Sequence, residues 1–127
     1  MRRPLAVVSA SQSAGAVLAT AGIADRFDVV VDGLVARERA LRGKPAPDTF
    51  LFAAARLGAA PEDAAVVEDA PAGVAAGSAG RFGLVVGVAR RASSEDLLAA
   101  GAHLVVSDLG ELLEPASPRG AEDARQA

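Results

Sequence analysis

Two adjacent carboxylates, Glu68 and Asp69, follow a run of apolar residues and precede a proline and a series of small residues. This order predicts a buried strand that ends at the acids, then a turn, then a helix packed close to a sheet. In open α/β sheets ligands bind outside the carboxyl ends of the strands, and carboxylate oxygens suit a hard cation such as Mg²⁺. The pair is therefore a candidate Mg²⁺ site. The simpler alternative is that the acids stabilise the first turn of the next helix.

A hydroxyl and an ammonium group are predicted at the same edge of the sheet. Ser9 follows the first apolar run, and Lys44 lies in a loop in which Pro45 and Pro47 restrict the backbone. Parallel strands bring their carboxyl ends to one edge, so we expect Ser9, Lys44 and the acid pair to meet there. Alone, such a serine is commonly a cap and such a lysine is commonly solvated. Together with a cation they could bind a phosphoryl group, because they offset its charge and donate hydrogen bonds.

The elements that must position these groups alternate along the chain. The predicted strands are Leu5–Val8, Phe27–Val31, Ala64–Val67, Phe82–Val88 and His103–Val106. The predicted helices are Gln12–Ala21, one from Pro47 to Gly58, one from Pro71 that Gly73, Gly77 and Gly80 bring close to the sheet, Ser93–Ala100, and a final turn or two at Asp108–Leu113. A turn is expected at Asp32–Gly33 and an irregular segment at Arg37–Arg42. Alternating strands and helices predict an α/β fold, a doubly wound parallel sheet with helices on both faces.

Composition limits the classes of partner. The chain has 127 residues, 51% of them hydrophobic, without Trp, Tyr or Cys, and 16 acidic residues outnumber 13 basic ones. We expect one domain over residues 1–114 and a disordered tail over 115–127, where apolar periodicity ends. The acidic balance and few aromatic residues exclude a nucleic-acid partner. The absence of cysteine fits a cytoplasmic protein, and no apolar run is long enough to cross a membrane. His103 is expected to be structural or exposed rather than catalytic.

Three motifs in this order resemble a known family. They are Val-Val-Ser-Ala-Ser at 7–11, Gly-Lys-Pro-Ala-Pro-Asp-Thr-Phe at 43–50, and Val-Glu-Asp-Ala-Pro-Ala-Gly-Val-Ala-Ala-Gly at 67–77. Over roughly residues 4–113 the chain resembles the haloacid dehalogenase-like phosphohydrolases, and within them the β-phosphoglucomutase-like and phosphoglycolate-phosphatase-like branch. The resemblance implies a Rossmann-like core and a phosphorylated small-molecule substrate, such as a sugar phosphate.

The resemblance also implies roles for particular residues. Phosphate would be bound by Ser9, Ala10, Ser11 and Lys44, and Lys44 would take part in catalysis. Asp69 would contact Mg²⁺, with Glu68 beside it as a ligand or through water.

One family motif is missing from the sequence. The strand that ends in DxDx(T/V) supplies the nucleophilic aspartate of the family, and the flanks of Asp25, Asp28 and Asp32 do not fit it. The inserted cap domain is missing as well. In the family this strand lies mid-sheet, between the strands that end at Ser9 and Glu68. These two strands must therefore leave a gap or pair directly.

The sequence thus predicts a partial core that is inactive alone and is complemented by an N-terminal segment with the nucleophile. The reaction would be phosphate monoester hydrolysis or sugar phosphomutation. Gln12 favours hydrolysis, because some mutases of the branch carry lysine there. The alternative is a non-catalytic phosphate- or metal-binding remnant or an interaction module. A nucleotide-binding fold of another kind is not favoured, because the sequence has no GxGxxG or GxxxxGK(S/T) motif.

Overall fold

The computed structural model describes residues 3–10, 22 and 26–113. This part of the chain contains five strands: β1 Ala6–Val8, β2 Val29–Val31, β3 Ala65–Glu68, β4 Leu84–Val88 and β5 Leu104–Val106. Its α-helices are α1 Gly33–Glu38, α2 Asp48–Leu57, α3 Pro71–Ala79, α4 Ser94–Ala100 and α5 Gly110–Leu113, with a 3₁₀ turn at Pro61–Asp63. The predicted helix Gln12–Ala21, the candidate residue Ser11 and the predicted tail 115–127 lie outside the described residues.

All strand pairs are parallel, but they form two sheets. In the first sheet β1 pairs with β2, with Val7 opposite Val30. In the second the order is β3-β4-β5, with Val67 opposite Val86 and Val86 opposite Leu104. The predicted parallel α/β fold is confirmed. Within the described residues β1 and β3 are not paired, so the predicted gap is present and direct pairing is not.

Capping residues determine where α2 ends and where α4 begins and ends. Gly58 and Gly101 end α2 and α4 in the left-handed conformation, with φ of 75° and 117°, a region in which a side chain would be strained. Ser93 begins α4, because its Oγ accepts a hydrogen bond from the Asp96 N–H at 3.1 Å. These boundaries agree with the sequence prediction.

The prediction of a turn at Asp32–Gly33 and an irregular segment at Arg37–Arg42 was wrong in part, because helix α1 begins at Gly33. Asp32 caps it, since its Oδ1 accepts a hydrogen bond from the Val35 N–H at 2.9 Å. This bond satisfies one of the N–H groups that a helix leaves unpaired at its start. None of the residues of α1 is buried, so the helix lacks the apolar periodicity that would have indicated it.

The main core lies between the second sheet and helices α2, α3 and α4. Its buried members are Phe50, Ala54, Val66, Val74, Ala76, Phe82, Val85 and Leu97. A Cβ on Gly77 would meet Val85 Cγ2 at 3.2 Å and Val66 Cβ at 3.3 Å. Gly77 therefore lets α3 lie close to the sheet, as the glycine spacing predicted. None of the helices in the described ranges has the length and apolar character that a membrane crossing requires.

His103, just before β5, has a structural role. The imidazole Nδ1 accepts a hydrogen bond from the Val85 N–H at 2.9 Å. The backbone N–H of His103 donates to Val85 O at 2.8 Å. The imidazole ring thus acts in place of a backbone carbonyl at the start of the β4–β5 ladder. Because Val85 is fully buried, this ring satisfies a donor that water does not reach.

A groove of about 530 Å³ separates the two sheets. Its sides are β1 and β3, and apart from Glu68 its lining residues are apolar. Among the residues that line it are Leu5, Phe27, Phe50, Ala53, Ala54, Leu57, Phe82 and Leu109. Helix α2 contacts both β1 and β2 and also reaches α3, so it connects the two sheets, between which the described residues show no backbone pairing.

Candidate active site

The predicted site residues lie at the carboxyl ends of β1 and β3 and in the loop between α1 and α2. Ser9 directly follows β1, Glu68 is the last residue of β3, and Asp69 follows it. Lys44 comes from the loop. Its Nζ lies 2.5 Å from Glu68 Oε2, and the two side chains are only 23% and 12% exposed. The structure therefore brings together two residues that the sequence assigned to different parts of one site.

The loop that carries Lys44 is closed by an ion pair between Arg42 and Asp48. Arg42 Nη2 donates to Asp48 Oδ1 at 3.0 Å, and Arg42 Nε donates to Oδ2 at 3.1 Å. The Arg42 backbone N–H also donates to Oδ2 at 3.0 Å. The side-chain hydrogen bonds from Arg42 hold the pKa of Asp48 below its usual value, and the same bonds raise the pKa of Arg42. Asp48 begins α2, so this pair fixes the loop to the helix.

A second contact fixes the head of Lys44. Its Nζ lies 5.0 Å from the centroid of the Phe50 ring, within the range of a cation–π interaction. Phe50 in turn packs edge to face on Phe82, with ring centroids 6.1 Å apart. The ammonium group is thus held between a carboxylate and a ring that belongs to the core.

Gly73, in the first turn of α3, makes room for the Glu68 side chain. A Cβ at this position would overlap the Glu68 carboxyl group. Sequence reasoning assigned Gly73 to close packing of the helix on the sheet and missed this role. The carboxyl group of Glu68 can lie against the helix and face Lys44 only because residue 73 has no side chain.

Lys44 and Glu68 line two different cavities. One, of about 340 Å³, is lined by Ser9, Ala10, Lys44 and Thr49 together with four uncharged residues, Val8, Gly33, Ala36 and Gly43. The other, of about 210 Å³, is lined by Val67, Glu68, Asp69, Val88, Arg90 and Leu109. The predicted phosphate-binding residues Ser9, Ala10 and Lys44 thus share one cavity, and the predicted metal ligands share the other.

Arg90 and Thr49 are additions to the predicted set. Arg90 was not among the predicted site residues; it is exposed, but it lines the cavity of the two acids. Thr49 was not singled out. The sequence could have indicated Thr49, because this residue lies inside the motif that contains Lys44.

The donor set at the acid pair suits Mg²⁺ in part. No group of three or more His, Asp or Glu side chains that could hold a metal occurs among the described residues. Mg²⁺, however, commonly takes only one or two carboxylates and completes its shell with water and substrate phosphate. Asp69 is exposed and borders the cavity, whereas Glu68 already pairs with Lys44. The residues present therefore fit a site in which Asp69 is the direct ligand.

Comparisons with known proteins agree with this fold. A family profile described as haloacid dehalogenase-like hydrolase matches residues 2–81. The β-phosphoglucomutase of Mycobacterium tuberculosis is 53% identical over 113 residues, which are 86% of this chain and 43% of that protein. The fructose-1-phosphate phosphatase of Escherichia coli is 45% identical over 80 residues, 61% of this chain and 40% of that protein.

A solved structure shows the same similarity in three dimensions. The β-phosphoglucomutase of Clostridium difficile superposes with a TM-score of 0.68 at 28% identity, over 91% of this chain and 46% of that one. The chain belongs to the haloacid dehalogenase-like hydrolase family. It spans less than half the length of these three relatives, which agrees with the partial sheet.

Proposed function

We propose that this chain is the phosphate- and metal-binding part of a Mg²⁺-dependent phosphate monoester hydrolase or sugar phosphomutase. A segment with the nucleophilic aspartate completes it. The substrate is a phosphorylated small molecule of the sugar phosphate class, as the names of the mycobacterial and E. coli relatives suggest. The observation that carries the proposal is the open groove between β1 and β3, whose carboxyl-terminal mouth is flanked by Ser9 and Glu68.

The first edge available to such a segment is on β1. Ser9 N–H donates to Val31 O at 2.8 Å, and Leu5 O also accepts bonds from the β2 side. Successive residues of a strand direct their backbone groups to opposite edges. Ala6 and Val8 therefore direct their N–H and C=O groups to the groove.

The second edge is on β3. Val85 O accepts a bond from His103 on the β5 side, so the next residue, Val86, directs its backbone groups to β3. Val86 lies opposite Val67, and in a parallel ladder it bonds to the neighbours of Val67. Ala65 and Val67 therefore direct their groups to the groove. A parallel strand between the sheets would pair on both sides, at a spacing of about 4.8 Å from each neighbour.

The site residues have distinct roles in this proposal. A strand that ends between Ser9 and Glu68 would place a carboxylate between a residue that lines one cavity and a residue that lines the other. That carboxylate would attack phosphorus and displace the alcohol, and water would release phosphate from the acyl phosphate. Ser9 and Ala10 would bind phosphate oxygens, and Lys44 would offset the charge on the transferring group. Mg²⁺ held by Asp69, with Glu68 directly or through water, would supply further positive charge.

The choice between phosphate hydrolysis and the phosphomutase reaction depends on what accepts the phosphoryl group. A hydrolase passes it to water, and a mutase returns it to a sugar hydroxyl. Gln12, where some mutases of the branch carry lysine, supports hydrolysis. The cytoplasmic location expected from the cysteine-free composition remains a prediction.

The test is complementation. The part of the M. tuberculosis relative that this chain does not match is co-expressed with the chain, and p-nitrophenyl phosphate hydrolysis is measured with Mg²⁺. Activity is expected only in the mixture. It should be lost when the first aspartate of the added DxD motif becomes asparagine, or when Lys44 becomes alanine.

Two outcomes contradict the proposal. Hydrolysis by the chain alone, abolished in Asp69→Asn, would mean that it carries its own nucleophile. No activity in a mixture that forms a stable complex would favour the alternative, a phosphate- or metal-binding remnant.

A further inference from the structure

Thr49, the second residue of α2, is buried, and its hydroxyl group has no partner. The residue is 6% exposed. In the described part of the chain, Thr49 Oγ1 is the buried side-chain polar atom that makes no hydrogen bond. An unsatisfied buried hydroxyl group costs roughly 1–3 kcal/mol. Valine would fill the same space without this cost, so the hydroxyl group indicates a partner that the chain itself does not provide.

The backbone does not satisfy this hydroxyl. Threonine in a helix often donates to the carbonyl group four residues earlier, which for Thr49 is that of Pro45. Thr49 Oγ1 does not make this bond. Within the described structure no protein group therefore uses the hydrogen-bond donor of this hydroxyl.

The surroundings of Thr49 favour an anion as that group. Thr49 lines the cavity of about 340 Å³ with Ser9, Ala10 and Lys44. Lys44 has the one formal charge among the described residues that line this cavity. Its Nζ also lies over the ring of Phe50, the residue after Thr49. The ammonium group of Lys44 thus lies near the end of α2 that contains Thr49.

We propose that Thr49 is a further phosphate-binding residue, whose hydroxyl group donates a hydrogen bond to an oxygen of the phosphate that Ser9 and Lys44 bind. A phosphate dianion offers only acceptor oxygens, so the hydroxyl group must be the donor. The inference rests on the proposed function and adds a contact to it. The resemblance to the family does not supply this role, since position 49 is the unspecified residue of the motif around Lys44.

The experiment measures binding of inorganic phosphate, with Mg²⁺ present, to the 127-residue chain by isothermal titration calorimetry. Thr49→Val should weaken binding about tenfold or more, because it removes a hydrogen bond to a charged group. Thr49→Ser, the matched control, keeps the hydroxyl and should remain within about threefold of the wild type. Lys44→Ala should also weaken binding. In urea, Thr49→Val should unfold at the wild-type midpoint or above, because it removes an unpaired hydroxyl and no hydrogen bond.

Each other result has a definite meaning. If Thr49→Val binds phosphate like the wild type while Lys44→Ala does not, the phosphate site of the proposed function stands and the role of Thr49 is refuted. If Thr49→Val lowers the urea midpoint and leaves binding unchanged, the hydroxyl is structural and the inference is overturned. If the wild-type chain does not bind phosphate, the inference also fails, and the complementation assay then judges the proposed function separately.

Discussion

Lys44 Nζ and Glu68 Oε2 lie 2.5 Å apart, although 24 positions separate the two residues in the sequence. The pair joins the loop before α2 to the end of β3. In the described structure it is the side-chain ion pair that connects these two regions. It therefore contributes to the position of Lys44 before any substrate or added segment is present.

Removal of either partner should destabilise the chain. We expect Lys44→Met and Glu68→Gln each to lower the free energy of unfolding by about 1–3 kcal/mol, since each leaves a partly buried charge without its partner. Methionine retains the apolar stem of the lysine. Urea denaturation of both variants and of the double variant forms a double-mutant cycle, and a coupling of at least about 0.5 kcal/mol is expected. Additive effects would show that the contact contributes nothing.

The Gly73→Ala substitution should displace Glu68. Alanine normally stabilises a helix relative to glycine by roughly 0.5–1 kcal/mol, but here the new Cβ overlaps the Glu68 carboxyl group. We expect Gly73→Ala to lower the urea midpoint in the wild-type background and to raise it in a Glu68→Ala background, where the overlap is gone. The same sign in both backgrounds would contradict the role assigned to Gly73.

The Arg42–Asp48 pair should make stability depend on pH in the acidic range. The pKa of Asp48 is lowered in the folded chain by hydrogen bonds from Arg42. The contribution of Asp48 to folding stability is therefore complete above its pKa in the unfolded chain, about 3.9. This contribution is lost as the pH falls through the lower pKa that Asp48 has in the folded chain. The stability difference between wild type and Asp48→Asn should shrink as the pH falls below about 4.

An NMR titration checks the assigned cause of this effect. The Asp48 carboxyl should titrate at higher pH in Arg42→Gln than in the wild type. Equal titration in both would mean that Arg42 does not lower the pKa of Asp48.

His103→Ala should leave the buried Val85 N–H without an acceptor. We expect a loss of about 1–3 kcal/mol in the free energy of unfolding. His103→Asn should recover part of it, because the asparagine carbonyl can accept the same bond. Amide hydrogen exchange at Val85 checks the contact directly. Exchange as slow in His103→Ala as in the wild type would contradict the role of the imidazole ring.

Periodicity and capping residues predicted most of the fold from the sequence. The apolar runs located the five described strands to within one or two residues, and Gly58, Ser93 and Gly101 marked helix ends through local chemistry. The parallel arrangement also predicted that Lys44 and the acid pair would share an edge. Helix α1 was missed because it buries no residue and depends on a single cap.

Other features of the site could not be predicted because they depend on contacts between residues distant in the sequence or on space. That Gly73 makes room for Glu68 depends on how α3 lies over the end of β3. The missing partner of Thr49 Oγ1 depends on which carbonyl groups surround it. The alternation of strands and helices does not reveal how close Gly73 lies to Glu68 or which groups surround Thr49 Oγ1. In the sequence Gly73 is only a small residue and Thr49 only a polar one.

The groove affects how readily copies of the chain associate with one another when no other segment fills it. Among the described residues the facing edges of β1 and β3 are unpaired, and such edges can pair with strands of other molecules. The exposed apolar side chain of Val67 adds to this tendency. A segment that fills the groove would therefore act as a guard against self-association. Cells that produce the chain without such a segment should accumulate less soluble protein, because the unpaired strand edges of different copies can pair with one another.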